Sequence, residues 1–138
     1  SFGVEQAYRE FPSLLIIDRL APFEVGGRKL AHLYVRVYND DPCFAPQGHT
    51  VVQSMLPTEY AWWATRRDQY AAAKQDTAAT VLAQLSPHFP ALRESVRLID
   101  IATPLTYWNM ARSWRGAYEG FMPNGSSMFS PVSKKLRG

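Results

Sequence analysis

The sequence predicts an α+β domain: a mixed or mainly antiparallel sheet of about four or more strands, with one long helix and short helices on one side. Two patterns carry that reading. Residues 30–38 alternate, with Leu33, Val35 and Val37 pointing one way and Tyr34, Arg36 and Tyr38 the other, the period of a strand with one buried face. Residues 68–85 place Tyr70, Thr77, Val81 and Leu85 at helical spacing, with alanines between them and Lys74, Gln75 and Gln84 available to solvent. Clusters of Gly, Pro, Asn and Asp punctuate the segments.

Residues 13–20 are β-branched and apolar enough for a first strand. The turn Val25-Gly26-Gly27-Arg28, where glycine tolerates positive φ, is expected to join it to residues 30–38 as a hairpin. Asn39-Asp40-Asp41-Pro42 breaks that second strand, Pro46-Gln47-Gly48 makes another turn, and residues 49–56 resume an extended pattern. Pro57 and Thr58 open a helical region, with Thr58 as N-cap and Glu59 at the positive end of the dipole. The main helix then ends at Ser86-Pro87 and Pro90, a short turn follows at 91–94, and residues 96–102 form a fourth strand. Thr103-Pro104 starts a helix that runs to about Arg112, because threonine caps free amides and proline loses no hydrogen bond at the first helical position. The expected order is βββαβ, and the remaining residues, with Gly116, Gly120, Pro123, Asn124 and Gly125, read as irregular.

At 138 residues, 46% hydrophobic and 20% charged, the chain has the size and composition of one globular domain, 1–138, and not of a disordered or collagen-like protein. No apolar run approaches the roughly 18–20 residues that span a bilayer. Cys43 is the only cysteine, which excludes an internal disulfide framework and a Cys-clustered zinc site and points to a reducing, cytoplasmic setting. The net charge of +3 is spread along the chain apart from Lys134, Lys135 and Arg137, so no nucleic-acid partner is expected. A start at Ser1 without a secretory pattern reads as a processing or fragment boundary.

Few residues read as chemistry. His32, His49 and His88 match no ligand spacing, and Cys43, between Pro42 and Phe44, has no activating neighbour. Asp40 and Asp41 read as turn residues before proline; Asp18 and Asp100 share strand faces with apolar neighbours and are expected to emerge at strand ends. There is no GxGxxG after a strand, no Walker loop and no GxSxG elbow, so any redox chemistry has to come from outside the segment. The positive signal is aromatic: Tyr60, Trp62, Trp63, Tyr107, Trp108, Trp114, Tyr118 and Phe121 give an apolar ligand or a partner a large flat surface. One reading therefore makes the domain a non-catalytic module that binds a hydrophobic ligand or a protein through Trp62, Trp63 and Trp114.

Ile99-Asp100-Ile101-Ala102-Thr103-Pro104-Leu105-Thr106-Tyr107, followed by Trp114-Arg115-Gly116-Ala117-Tyr118-Glu119-Gly120-Phe121, resembles the phytoene dehydrogenase-like FAD-dependent oxidoreductases. Upstream, Phe44-Ala45-Pro46-Gln47-Gly48-His49-Thr50-Val51-Val52, Tyr70 with Lys74, and Phe89-Pro90 are similar to the same family in the same order. Between Thr106 and Trp114 the chain departs from the family's Arg-Tyr-Thr-Gly-Asn-like run, reading Tyr107-Trp108-Asn109-Met110-Ala111-Arg112-Ser113, and bulky Trp108 and Met110 are expected to reshape a cavity lining.

The resemblance implies that the chain is the inserted substrate domain of a two-domain flavoprotein, whose Rossmann-type FAD-binding domain is built from flanking polypeptide. It implies a substrate that is apolar, isoprenoid or polyene, with carotenoids among the family's ligands. FAD is then the cofactor of the parent protein and is not expected to bind this segment, which is inactive alone. The residues placed near the substrate are Thr103, Pro104, Thr106, Trp108, Trp114, Gly116, Tyr118 and Gly120; none is assigned a catalytic role or a metal. The partners implied are the FAD-binding domain and the apolar substrate, together with a membrane-peripheral location for the parent and self-association of the segment through its uncovered docking surface.

Overall fold

The computed structural model of the chain describes residues 1–118. Strands β1 (Phe2–Val4), β2 (Leu14–Ile17), β5 (Leu33–Tyr38), β6 (Thr50–Met55) and β7 (Val96–Ile99) form one sheet in the order β2-β5-β6-β1-β7, every pair antiparallel. Strands β3 (Phe23–Val25) and β4 (Arg28–Leu30) make a separate two-stranded hairpin. The helices are α1 (Tyr60–Ala64), α2 (Tyr70–Leu85) entered through a 3₁₀ turn at Arg67–Gln69, α3 (Leu92–Ser95) and α4 (Pro104–Ala111), and a last 3₁₀ turn covers Trp114–Gly116. The fold class is α+β.

Alternation decides which face of the sheet is covered. Leu33, Val35 and Val37 of β5 and Val52 of β6 are 0% exposed, and Phe2 and Val4 of β1 continue the same buried face. Onto it pack Ala78, Val81 and Leu85 of α2, then Phe89 and Leu92, so one helical layer closes the core. Two of the four buried positions of α2 are alanines, Ala73 and Ala78; small side chains let the helix backbone approach its neighbours closely. Trp63, Ala73 and Leu105 centre a smaller second cluster where α1, α2 and α4 meet.

Among the described residues no helix packs on the opposite face. By register Ile16, Tyr34 and Met55 stand side by side across β2, β5 and β6, at 60%, 49% and 48% exposure. Leu14, Arg36 and Gln53 make the next row, and Tyr38, Val51, Gly3 and Leu98 the one after it. Two apolar rows therefore flank a more polar one, in which Arg36 pairs with Asp40 at 2.8 Å.

Several expected elements are in place: the strands at β5, β6 and β7, the long helix, the turn at α3 and the helix after Thr103. The differences have local causes. The Gly26-Gly27 turn, with φ of +55° and +80°, closes only the β3–β4 hairpin; β2 and β5 pair directly and this hairpin is inserted between them. Strand β1 adds a member the βββαβ order did not contain. The α1 N-cap is Glu59, which makes no side-chain cap and instead pairs with Arg28, while Thr58 lies one residue earlier. Strand β7 stops at Ile99, short of residue 102. No described helix is long and apolar enough to cross a membrane.

Candidate functional site

Chain reversals after β7 help to build a cavity. Thr103, at φ −120° and ψ 169°, caps α4: its Oγ1 accepts the Thr106 N–H, and the Thr106 hydroxyl accepts the Thr103 N–H at 3.0 Å, a reciprocal capping box that Pro104 extends as the first helical residue. The Tyr70 hydroxyl reaches from α2 to Thr103 Oγ1 at 2.6 Å and to Thr106 Oγ1 at 3.2 Å, which ties the start of α4 to the start of α2. Thr103 is 2% exposed and Leu105 is 4% exposed, so this helix start is an internal fixture.

Beyond α4 the backbone bends back on itself. Arg112 and Arg115 take φ of +54° and +48°, and Gly116 takes +65°. Each non-glycine residue in that region costs roughly 1–2 kcal/mol, and the consequence here is that Gly116 lies against Pro104. A Cβ at Gly116 would fall on the Pro104 carbonyl group, closer than non-bonded atoms approach.

The turn so placed walls a cavity of about 560 Å³. Its inner end is apolar and buried, formed by Phe2, Val25, Trp63, Ala78 and Val81 from four different elements. Thr103, Pro104, Tyr107 and Gly116 form the side wall, and the exposed residues Met55, Asp100, Arg115 and Tyr118 surround the mouth. Tyr107 and Tyr118 meet edge to face at 5.5 Å. Burial pushes the Tyr107 phenol above its ordinary pKa, and Tyr118 and Asp100 push it the same way, so Tyr107 presents a neutral hydroxyl.

Of the residues the resemblance places near the substrate, Thr103, Pro104, Gly116 and Tyr118 line this cavity. Thr106 stands behind the wall as the partner of Thr103 and Tyr70. Trp108 packs edge-on toward Tyr60, with centroids 6.4 Å apart, and Met110 is 83% exposed; neither lines the cavity, so the expected effect of these two side chains on its shape does not arise there. Trp114 is 61% exposed beneath the Arg115 guanidinium. Gly120 and Phe121 lie outside the described residues. A surface made by Trp62, Trp63 and Trp114 together is corrected by the 1% exposure of Trp63, whose ring is core.

The remaining polar candidates have ordinary partners. Asp40 is paired with Arg36, and Asp41 Oδ1 accepts the Cys43 N–H at 2.7 Å in a side-chain turn that holds the Asp41 carboxyl below its usual pKa. Cys43, Asp18 and Asp100 are exposed, the two aspartates just past the ends of β2 and β7. Among the described residues no group of three or more His, Cys, Asp or Glu side chains is placed to hold a metal ion.

One buried polar atom is left over. Trp63 Nε1 has no hydrogen-bond partner among the described residues, a state that costs about 1–3 kcal/mol. The inner wall residues of β3, α1 and α2 escape sequence reading because they converge from distant positions; the adjacent tryptophans at 62 and 63 were the one local sign.

Comparison with known proteins gives no match: no family model, curated protein or solved structure is significantly similar to the chain.

Proposed function

We propose that this domain is the substrate-binding part of a phytoene dehydrogenase-like, FAD-dependent oxidoreductase acting on an apolar, isoprenoid or polyene substrate. The observation that carries the reading is the convergence of Thr103, Pro104, Tyr107, Gly116 and Tyr118, from both halves of the resembling stretch, on one cavity whose inner wall is Phe2, Val25, Trp63, Ala78 and Val81. The lining mixes apolar side chains with polar ones, among them Gln53, Ser54, Thr58, Thr77, Asp100 and Arg115, which suits a ligand whose apolar part is held by burial and whose polar groups are oriented by hydrogen bonds. The flavin supplies the redox chemistry from the FAD-binding domain of the parent protein, a cytoplasmic and membrane-peripheral enzyme, while this chain's residues bind and orient the substrate and exclude water.

Titrating the chain with farnesene and following tryptophan emission should give saturable one-to-one binding. FAD added to the same chain should remain free in equilibrium dialysis, whereas the parent protein should be yellow. No saturable response to the hydrocarbon, or tight stoichiometric FAD on this chain, would count against the proposal.

The uncovered sheet face favours a second reading, in which the domain is a non-catalytic interaction module. Ile16, Tyr34 and Met55 form a contiguous apolar row, larger in extent than singly scattered surface side chains. A second copy is its partner in a pure preparation. Sedimentation should show concentration-dependent self-association that the Ile16→Lys, Met55→Lys double variant abolishes; a monomer at all concentrations, with or without the substitutions, would remove this reading.

A further inference from the structure

The two edges of the five-stranded sheet are finished differently. A strand edge presents unpaired N–H and C=O groups, which proteins ordinarily blunt with charge or a bulge. The β7 edge carries both. Arg97 donates to Glu5 Oε2 at 2.8 Å and to the carbonyls of Glu94 and Val96 at 2.8 and 3.3 Å, and the pairing with β1 shifts register between Gly3 and Val4. Strand β2 carries neither: residues 11–17 read Phe-Pro-Ser-Leu-Leu-Ile-Ile without a charge, and the pairing with β5 runs in unbroken register from Leu14 opposite Arg36 to Ile17 opposite Leu33. The Val37 N–H bonds the Ser13 carbonyl at 2.9 Å, which sets the phase of the ladder: Ser13, Leu15 and Ile17 turn their backbone groups to β5, and Leu14 and Ile16 turn theirs outward. No described residue takes those outward groups. The side chains of the same two residues are apolar and 66% and 60% exposed.

We propose that β2 is the contact edge for a second copy of this chain, two β2 strands pairing antiparallel about a two-fold axis at Leu15 and joining the two five-stranded sheets into one. The inference rests on the reading of the domain as a self-associating module and moves the contact from the sheet face to the sheet edge. Only residues with outward backbone groups can bond across the axis. An axis at Ile16 would set Leu14 opposite Asp18, and one at Leu14 would set Ile16 opposite Pro12, which has no N–H. With the axis at Leu15, Leu14 of each copy stands opposite Ile16 of the other, and each pair exchanges both of its N–H···O bonds. On the open face Leu14 then packs against Ile16 of the second copy, and Tyr34, already beside Ile16, extends the apolar strip. No like charges meet in this register, since Ser13 falls opposite Ile17 and Pro12 opposite Asp18. The contact is isologous and occupies the open edge of each copy, and the blunted β7 edges stop further growth, so the product is a closed dimer and not a filament.

The test is analytical ultracentrifugation combined with amide hydrogen exchange on the intact chain. A dimer should form with rising concentration, and the amides of Leu14 and Ile16 should gain protection over the same range, whereas those of Leu15 and Ile17, bonded to β5, stay protected throughout. Ile16→Pro removes an outward N–H that β5 does not use, so the monomer should keep its far-UV circular dichroism while the dimer's dissociation constant rises at least about tenfold. Met55→Lys, on β6 two strands in from the edge, should leave dimerisation unchanged. Should Ile16→Pro not fold, the exchange pattern of the unsubstituted chain decides alone. A dimer abolished by Met55→Lys, with the Leu14 and Ile16 amides exchanging as in the monomer, would put the contact on the sheet face and overturn the edge while the self-association reading stands. A monomer at every concentration would overturn both and leave the β2 edge to a strand of another polypeptide.

Discussion

Replacing Gly116 by alanine is expected to abolish ligand binding at the cavity while leaving the bulk of the fold intact. The argument starts from two independent penalties at one position. At φ +65° an L-residue adopts the left-handed region at a cost of roughly 1–2 kcal/mol. The new methyl would also have to occupy the space of the Pro104 carbonyl, a rigid backbone group at the first position of α4, which cannot yield as a flexible side chain would. Pro104 itself is held on both sides, by the capping box at Thr103 and Thr106 and by buried Leu105, so the cheaper movement is for the Trp114–Gly116 turn to lift away.

That movement has a defined functional consequence. Arg115, Gly116, Ala117 and Tyr118 leave the cavity together, and the edge contact between Tyr107 and Tyr118 is broken. The sheet and α2 share no core residue with this turn, so the energy lost is bounded by the stability of the turn and not of the domain. The expected result is a loss of farnesene affinity of at least about tenfold, equivalent to about 1.4 kcal/mol, with a urea midpoint close to that of the unsubstituted chain. An alanine variant that binds as well as the parent would show that the turn does not form the cavity wall; a globally unfolded variant would show that it is part of the main cooperative unit.

How much of this was readable in the residues depends on the range of the interaction that fixes each element. Strand β5 is legible because its alternation is local and its Leu33, Val35 and Val37 are all fully buried. The start of α4 is legible because Thr103, Pro104 and Thr106 satisfy one another within four residues. Strand β1 is not, since three residues carry little pattern and Phe2–Val4 is extended through pairing with β6 on one side and β7 on the other. The β2 run LLII hides its faces: Leu14 and Ile16 are apolar yet exposed, and only pairing with β5 reveals which way they point. A glycine pair announces a turn but not what the turn joins, hence the hairpin assigned to β2 and β5 and found between β3 and β4. The cavity follows the same rule. Its side wall at 103–118 is contiguous in sequence, whereas Val25, Trp63, Ala78 and Val81 arrive from three separate elements, and no local period links them.

Phe89→Ala should produce the opposite outcome to Gly116→Ala, a large loss of stability with the cavity unchanged in the molecules that remain folded. Phe89 is 1% exposed and sits where the chain leaves α2. Its ring stacks on Phe11 with centroids 4.7 Å apart and meets Tyr8 edge-on at 5.3 Å, while the Tyr8 hydroxyl donates to the Pro90 carbonyl at 2.9 Å. Asn39 fastens the other side of this cluster by donating to the carbonyls of Tyr8 and Phe11, both at 2.7 Å. The phenyl ring therefore joins segments distant in sequence, and removing it leaves a void flanked by side chains that hydrogen bonds prevent from closing in. Truncations of this kind cost about 3–5 kcal/mol, a large part of the roughly 5–15 kcal/mol that holds a domain folded. Urea unfolding should show that loss, with Phe89→Leu retaining part of it because leucine refills some of the volume without the ring geometry. Since Phe89 does not line the cavity, ligand affinity corrected for the folded fraction should match that of the parent. A loss below about 1 kcal/mol, the scale of a single exposed contact, would mean that Tyr8, Phe11 and Phe89 pack against one another without anchoring the helical layer to the sheet.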